Sequence, residues 1–444
     1  MAVAALTSGT VMFGDVKQAY SQAEWPSDVP KVLARLPLGY KRFYGGVQYC
    51  VEVGNLYGHP LAGKHWWLRF KRWMLEHKYT QSLYDPCLFV KTTKSDFLYV
   101  LVYVDDIVTV SPRNGRLREV WADLFTTDFQ WTDFGSQPHE FLSVRVTQRT
   151  GAIVLDMMHY ITEITQEHFP QATRVTYSTP AVETLAQEVH RAQRDKDTTY
   201  SDSDVSKRYR RIVMQLLYVA SNCRPDLAIA VGLLSRVQAW ASPTLLQHAE
   251  RALLYAFHTR GLALTYTPSE SRLSMHWSPN VLVGASDASH DIAHSTSAYV
   301  FLMANAAISW AVKKQQSIAL TPYHAEVMAG SLAACETVFL RGLLTEMGRP
   351  PDKPTILEMD CSSAIDFAYD PVLHKASKHI ERRDLFIREL VEREVLEPVK
   401  VKTGNNVSDA LTKPLSKGAF LSHRARILNE SGHKSPDEVS EPNV

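Results

Sequence analysis

Two adjacent carboxylates in the middle of an apolar run are the first residues of this chain suited to chemistry. Tyr103-Val104-Asp105-Asp106 follows Phe97-Leu98-Tyr99-Val100-Leu101-Val102 and precedes Ile107-Val108-Thr109-Val110. The β-branched and aromatic residues on both sides predict two buried strands joined by a tight turn. One Asp suits such a turn, because its side chain hydrogen-bonds the local backbone. A second is harder to explain, since uncompensated charges packed side by side are costly. A divalent cation removes that cost, and Mg2+ takes oxygen ligands. Asp15, in Phe13-Gly14-Asp15-Val16, is the candidate partner. Aspartates from two strands can hold two Mg2+ ions roughly 3.5–4 Å apart, which stabilises both oxygens of an in-line phosphoryl displacement. Asp is common, so spacing alone leaves this pairing open.

A second set of carboxylates is Asp287, Glu326, Asp360 and Asp409. Two stand at the ends of strand-like segments, one in a helical segment and one near the C-terminus. Converging on two metals, they would activate water for phosphodiester cleavage. Taken singly, each reads as a surface charge or a cap. His290 and His294, four apart beside Asp287, have the spacing of a zinc pair. No third ligand at suitable spacing accompanies them, so zinc is not the expectation.

The elements that must position these residues fall into three stretches. Residues 1–175 are rich in strand-like and aromatic segments. Within them Gly63–Lys78 reads as an amphipathic helix, with Trp66, Phe70, Trp73 and Met74 as its apolar stripe and Lys64, Lys71 and Lys78 on another face. A polar linker is expected at 193–204, with Asp202 and Asp204 as caps or solvated charges. Residues 176–275 read as helical, with patterns from Tyr209, over Asp226–Ala239 and over Thr244–Arg260. Residues 276–426 mix strands ending in Asp287 and Asp360 with a small-residue helix from His324 to Met347. The polar 427–444 segment is expected to be a disordered tail. The fold class expected is mixed α/β.

Composition sets limits. The chain has 444 residues, 45% hydrophobic and 21% charged, enough for two or three ordinary globular domains. Its net charge of +1 means that any nucleic-acid surface must be local. The five cysteines are odd in number and scattered without a Cys-x-x-Cys pair, so neither a disulfide framework nor a zinc knuckle is suggested, and an intracellular, reducing setting is the default. No segment is expected to reach the length of a membrane span, no membrane partner is implied, and no basic residue precedes Lys17 to open a secretory signal.

Read together, the motifs resemble the reverse transcriptase and RNase H region of copia-type LTR retrotransposon polyproteins, in order and over about Gly14 to Ser416. The matching segments are Asp15–Tyr20 (Asp-Val-Lys-Gln-Ala-Tyr), Asn55–Gly58 followed by Trp66, Tyr84–Phe89, Tyr103–Asp106, Leu216–Tyr218, Arg224–Ala228, Ser286–Ala288, Ile308–Trp310, Lys313–Gln315, Ala325-Glu326, Lys378–Ile380, Phe386–Glu389 and Asp409–Leu415. Collinear occurrence of so many is specific. The resemblance implies a reverse-transcriptase palm with a catalytic β-hairpin, a helical connection and an RNase H-like domain. It implies Asp15 and Asp105 as metal ligands with Asp106 as third carboxylate. It also implies Tyr20 under the incoming sugar, where its ring would exclude a 2′-hydroxyl by a clash, and Tyr103 and Lys64 at the substrate. In the distal domain Asp287, Glu326, Asp360 and Asp409 would hold Mg2+ to cut RNA in an RNA–DNA hybrid. The partners implied are an RNA template, a DNA primer, deoxynucleotide triphosphates and other parts of the polyprotein.

Some residues depart from the family pattern. Fourteen residues precede Asp15, so the upstream fingers that hold the triphosphate are expected to be missing and polymerase activity weak. Leu61 stands where many relatives carry Gln, Cys361 where Asn is common, and Leu385 where His is frequent. None of these changes removes a carboxylate. The rival expectation is an inactive remnant that binds nucleic acid through Lys64, Lys71 and Arg72.

Overall fold

The computed structural model describes residues 1–30, 32–35, 43–44, 47–48, 50–171, 175–268, 281–290, 295–370 and 385–430. Its contacts divide it into two units. The smaller comprises Gly9–Gln137 with Glu346–Arg349; the larger comprises Met1–Ser8, Pro138–Thr345 and Pro350–Val444.

In the smaller unit alternating apolar segments form a six-stranded sheet, in the order Trp131–Gly135, Gly9–Val16, Asp106–Pro112, Phe97–Tyr103, Leu88–Thr92, Thr80–Gln81. Every pairing is antiparallel. The expected strand–turn–strand around Asp105 is present, with Phe97–Tyr103 and Asp106–Pro112 leaving only Val104 and Asp105 as loop. Helix Ala62–Glu76 buries the anticipated stripe of Trp66, Phe70, Trp73 and Met74. These side chains join Phe89, Leu98, Val100, Trp121, Phe125 and Phe129 in one apolar cluster. Arg118 is also buried. It is admitted because it is paired: Nε donates to Thr109 Oγ1 at 2.9 Å, a second nitrogen bonds Asp133 at 2.7 Å, and the guanidinium lies against Trp121 and Trp131.

The larger unit holds two sheets and a helical part. Four antiparallel strands run His139–Phe141, Val144–Arg149, Ala152–Asp156, Leu264–Tyr266. The five-stranded sheet runs Ala306–Lys314, Thr296–Met303, Val283–Ser289, Thr355–Met359, Leu396–Lys400. Its first three strands are antiparallel, whereas Val283–Ser289, Thr355–Met359 and Leu396–Lys400 are mutually parallel. Helix Pro322–Glu346 carries a face of small residues, and a Cβ at Gly330 would come within 2.9 Å of Ile387 and 3.2 Å of Met359. Small side chains there allow its close approach.

Several boundaries shift from those expected. Helix Leu185–Asp195 runs into the presumed linker, and the helix read from Tyr209 begins at Asp204, where Ser203 accepts a hydrogen bond from Ser206 N. The 226–239 pattern is broken into short turns around Ala228–Ser235. Ile427 and Leu428 end the buried helix Lys417–Leu428 instead of opening a tail, because both side chains are fully buried; 431–444 lie outside the described residues. The expectation of no span-length segment is also corrected. Pro322–Glu346, with 25 residues, is long and apolar enough to cross a membrane, although 56% of its apolar window is buried within the protein. Ala325, Ala329, Ala333 and Ala334 are all buried, so part of this hydropathy is core packing. Lys378–Ile380 and His294 lie outside the described residues.

Candidate active sites

Asp15 stands opposite Asp106 in the antiparallel register, so the two share one face of the sheet. Like charges directly opposite are destabilising. Val16 N donates to Asp105 O at 2.8 Å, which ties the first strand to the hairpin loop. That loop is strained: Val104 has φ +57°, a region β-branched residues rarely enter. Trp66 holds it there, its Nε1 donating to Val104 O at 2.6 Å. Gly14 is required beside Asp15, because a Cβ would lie 2.4 Å from the Trp131 ring.

Around these carboxylates, Tyr20 packs against Tyr57 with ring centroids 4.6 Å apart and the rings tilted by 31°. Burial and then the charge of Asp105 raise the Tyr57 phenol above its usual range, with Tyr20 and Asp15 adding to the shift. Tyr57 was not singled out from the sequence, although it lies inside the Asn55–Gly58 motif. Asn55 is buried, donates to Ala23 O at 2.8 Å and bonds His65 Nδ1 at 2.7 Å, fixing that segment to the helix. Tyr103 pairs with Asp106 and is 52% exposed. Lys64 is exposed on Ala62–Glu76.

The distal carboxylates do converge. The parallel register places Ala285 beside Glu358. Two residues further along each strand direction come Asp287 and Asp360, at the carboxyl edge of the sheet where open α/β folds place ligands. Asp287, Glu326 and Asp360 bring ligand oxygens within 4.8 Å of one another. Glu326 reaches them from the start of Pro322–Glu346. Gln315 anchors that helix end, its Nε2 donating to Ser297 Oγ and to Ala325 O, each at 2.9 Å. Burial, then Asp287 and Asp360, push Glu326 up to about 9. Burial, then Asp409, push Asp287 up to about 7. Glu326 Oε2 is buried and has no hydrogen-bond partner among the described residues. An orphaned carboxylate oxygen in an all-oxygen donor set fits a hard divalent cation.

Asp409 is set by a loop whose anchor spacing did not reveal. Asn406 Nδ2 donates to Ser286 O at 3.0 Å, and its Oδ1 accepts from Ser408 N at 3.2 Å. Thr412 Oγ1 donates to Asp287 Oδ2, and Lys413 Nζ lies 2.9 Å from Asp409 Oδ1. Their positions three and four residues after Asp409, on one helical turn, were the only available signal. His290 contacts Ala319 O at 3.3 Å.

Residues 1–183 match the family model described as reverse transcriptase (RNA-dependent DNA polymerase). A transposon Ty5-1 protein of Saccharomyces cerevisiae is 30% identical over 292 residues, covering 64% of this chain and 87% of that protein. The chain belongs to the copia-type retrotransposon reverse transcriptase family. The Pol polyprotein from transposon TNT 1-94 of Nicotiana tabacum is 28% identical over 414 residues, 91% of this chain. The one from transposon RE1 of Arabidopsis thaliana is 28% identical over 375 residues, 84% of this chain. The chain spans 30% and 24% of these two relatives. A solved foamy viral protease-reverse transcriptase in complex with RNA/DNA hybrid aligns over 92% of this chain and 45% of its own, with 11% identity and a TM-score of 0.45. For a member of this reverse transcriptase family, Asp15 and the Tyr103–Asp106 hairpin fall inside the matched residues and the distal carboxylates outside them.

Proposed function

We propose that the chain carries two Mg2+-dependent phosphoryl-transfer centres: an RNA-directed DNA polymerase site at Asp15, Asp105 and Asp106 within 1–175, and an RNase H site at Asp287, Glu326, Asp360 and Asp409 within 276–426, joined by a helical connection over 176–275. The observation that carries the reading is the gathering of Asp287, Glu326 and Asp360, far apart in sequence, around a buried Glu326 oxygen that has no partner among the described residues. Bound Mg2+ would neutralise the carboxylates, polarise the phosphoryl group and make an attacking oxygen available. The chain's own residues do the positioning. Thr412 orients the Asp287 carboxylate, Asn406 fixes the loop that presents Asp409, and Gln315 fixes the helix end that presents Glu326. In the proximal site Trp66 holds the hairpin loop, and Tyr20 with Tyr57 forms an aromatic wall for the incoming sugar. The partners are an RNA template, a DNA primer, their hybrid and deoxynucleotide triphosphates, inside the cell.

The test is Mg2+-dependent cleavage of the RNA strand of an RNA–DNA hybrid. Asp287→Asn should abolish cleavage and leave primer extension, where present, unchanged. Cleavage undiminished in Asp287→Asn refutes the distal assignment. Hybrid binding without cleavage or extension under any metal condition establishes a non-catalytic remnant.

A further inference from the structure

Three distal carboxylates face one another, and the fourth, Asp409, stands beside Asp287 but is ion-paired. Among the described residues, the acidic group whose ligand oxygens lie within 4.8 Å is Asp287, Glu326 and Asp360. Asp409, 7% exposed, instead receives the ammonium of Lys413 at 2.9 Å. Lys413 is aimed there by its backbone. It ends the short helix Asp409–Thr412 in an extended conformation, φ −147° and ψ 148°, the region imposed on a residue that precedes proline, here Pro414. Its side chain remains 45% exposed and has a route to solvent. A lysine is a compact point charge on a flexible four-carbon stem, so its head can leave while its backbone stays.

We propose that Lys413 is a resident counter-ion that withholds Asp409 from the distal site, so that without nucleic acid the site takes one divalent cation and admits a second only when Lys413 swings away. The inference rests on the RNase H reading and deepens it. An ammonium and a divalent cation compete for the same carboxylate oxygen, and they repel each other at contact distance. Lys413 makes its hydrogen-bonded ion pair with Asp409, whereas its charge reaches Asp287, Glu326 and Asp360 only at longer range, so those oxygens accept the first cation. A phosphodiester brought to the site offers Lys413 an alternative anionic partner and so frees Asp409. Lys413 is a positioning residue in this scheme and takes no part in bond breaking.

The test counts Mn2+ ions by calorimetry and by electron paramagnetic resonance, on the full chain with Asp15→Asn and Asp105→Asn silencing the proximal site. One Mn2+ per chain is expected without nucleic acid, and two with a hybrid whose scissile phosphate resists cleavage. Lys413→Met should bind two without nucleic acid, and Lys413→Arg should return to one. One Mn2+ of unchanged affinity in Lys413→Met overturns the proposal. Asp287→Asn separates the two levels of failure. Loss of Mn2+ in Asp287→Asn with no effect of Lys413→Met sinks only the gate, whereas unchanged Mn2+ binding in Asp287→Asn sinks the metal site itself.

Discussion

Arg224 shows how a single motif residue acts without touching either carboxylate set. Its guanidinium is fully buried and bonds Asp226 through two nitrogens at 2.8 and 2.7 Å, while a third contact reaches Thr259 O at 3.0 Å. Tyr255 OH donates to the same Asp226 at 2.7 Å. Burial alone would raise Asp226, but the Arg224 charge and these bonds hold it below the usual carboxylate range. The sequence marked Arg224-Pro225-Asp226 as a segment of the connection, and the bidentate pair supplies its physical role. Replacing Arg224 by Met leaves an unpaired buried carboxylate and should cost about 3–5 kcal/mol, read as a lowered urea midpoint. Arg224→Lys should recover only part, because an ammonium cannot reproduce the fork. A loss below about 1 kcal/mol would show that Asp226 is readily satisfied by Tyr255.

At the scale of elements, the first strand depends on a bare backbone at Gly14. The Trp131 ring and Thr132 O occupy the space a side chain would need, at 2.4 and 3.1 Å from an added Cβ. Gly14→Ala therefore forces the edge strand Trp131–Gly135 outward and carries Asp15 with it. Overpacking of this kind typically costs about 1–3 kcal/mol. Thermal melting should reveal the loss, and primer extension should fall more than hybrid cleavage, since the distal sheet is not built on this strand. In the distal sheet, the link from Gln315 Nε2 to Ala325 O holds the helix end that presents Glu326. Gln315→Leu should lower Mn2+ affinity at the distal site several-fold, a change visible by calorimetry even where cleavage is too weak to measure. The Phe97–Tyr103 and Asp106–Pro112 strands were legible because an apolar period interrupted by charge has few other solutions. The breaks around Ala228–Ser235 were not, because an apolar, largely buried helix shows no charged face to mark its limits.

For the molecule as a whole, the distal carboxylates make stability depend on pH and on metal. Asp287 and Glu326 are raised to about 7 and about 9 in the folded chain, above ordinary carboxylate values. The folded state therefore binds more protons than the unfolded state between about pH 4 and pH 9. Stability from these groups is greatest below their unfolded pKa values and is lost as pH rises through 7 toward 9. In chelator, the melting temperature should fall over that window, and saturating Mg2+ should flatten the fall by replacing protons as counter-ions. Asp287→Asn should remove part of the slope in chelator. A melting temperature independent of pH from 5 to 9 in chelator would contradict the burial that raises these groups. His423 acts in the opposite direction. Burial, followed by Arg426 and Lys413, lowers it to about 4, so its contribution is present above about pH 6.5 and is lost on acidification.

Sequence alone determined which residues carry charge at the tips of strands, the order of the motifs and their family, because periodicity and local turn chemistry are properties of short segments. It did not determine that Asn406 would anchor the Asp409 loop to Ser286, that Thr412 would clasp Asp287, or that Lys413 would occupy Asp409. Those contacts join residues more than a hundred positions apart or depend on a rotamer, and only packing of the parallel strands sets them. The same packing decides that Glu326, a helix residue like many others, loses water and leaves its Oε2 without a hydrogen-bond partner among the described residues. A carboxylate acquires the need for a cation only when the surrounding fold takes away its other means of being satisfied.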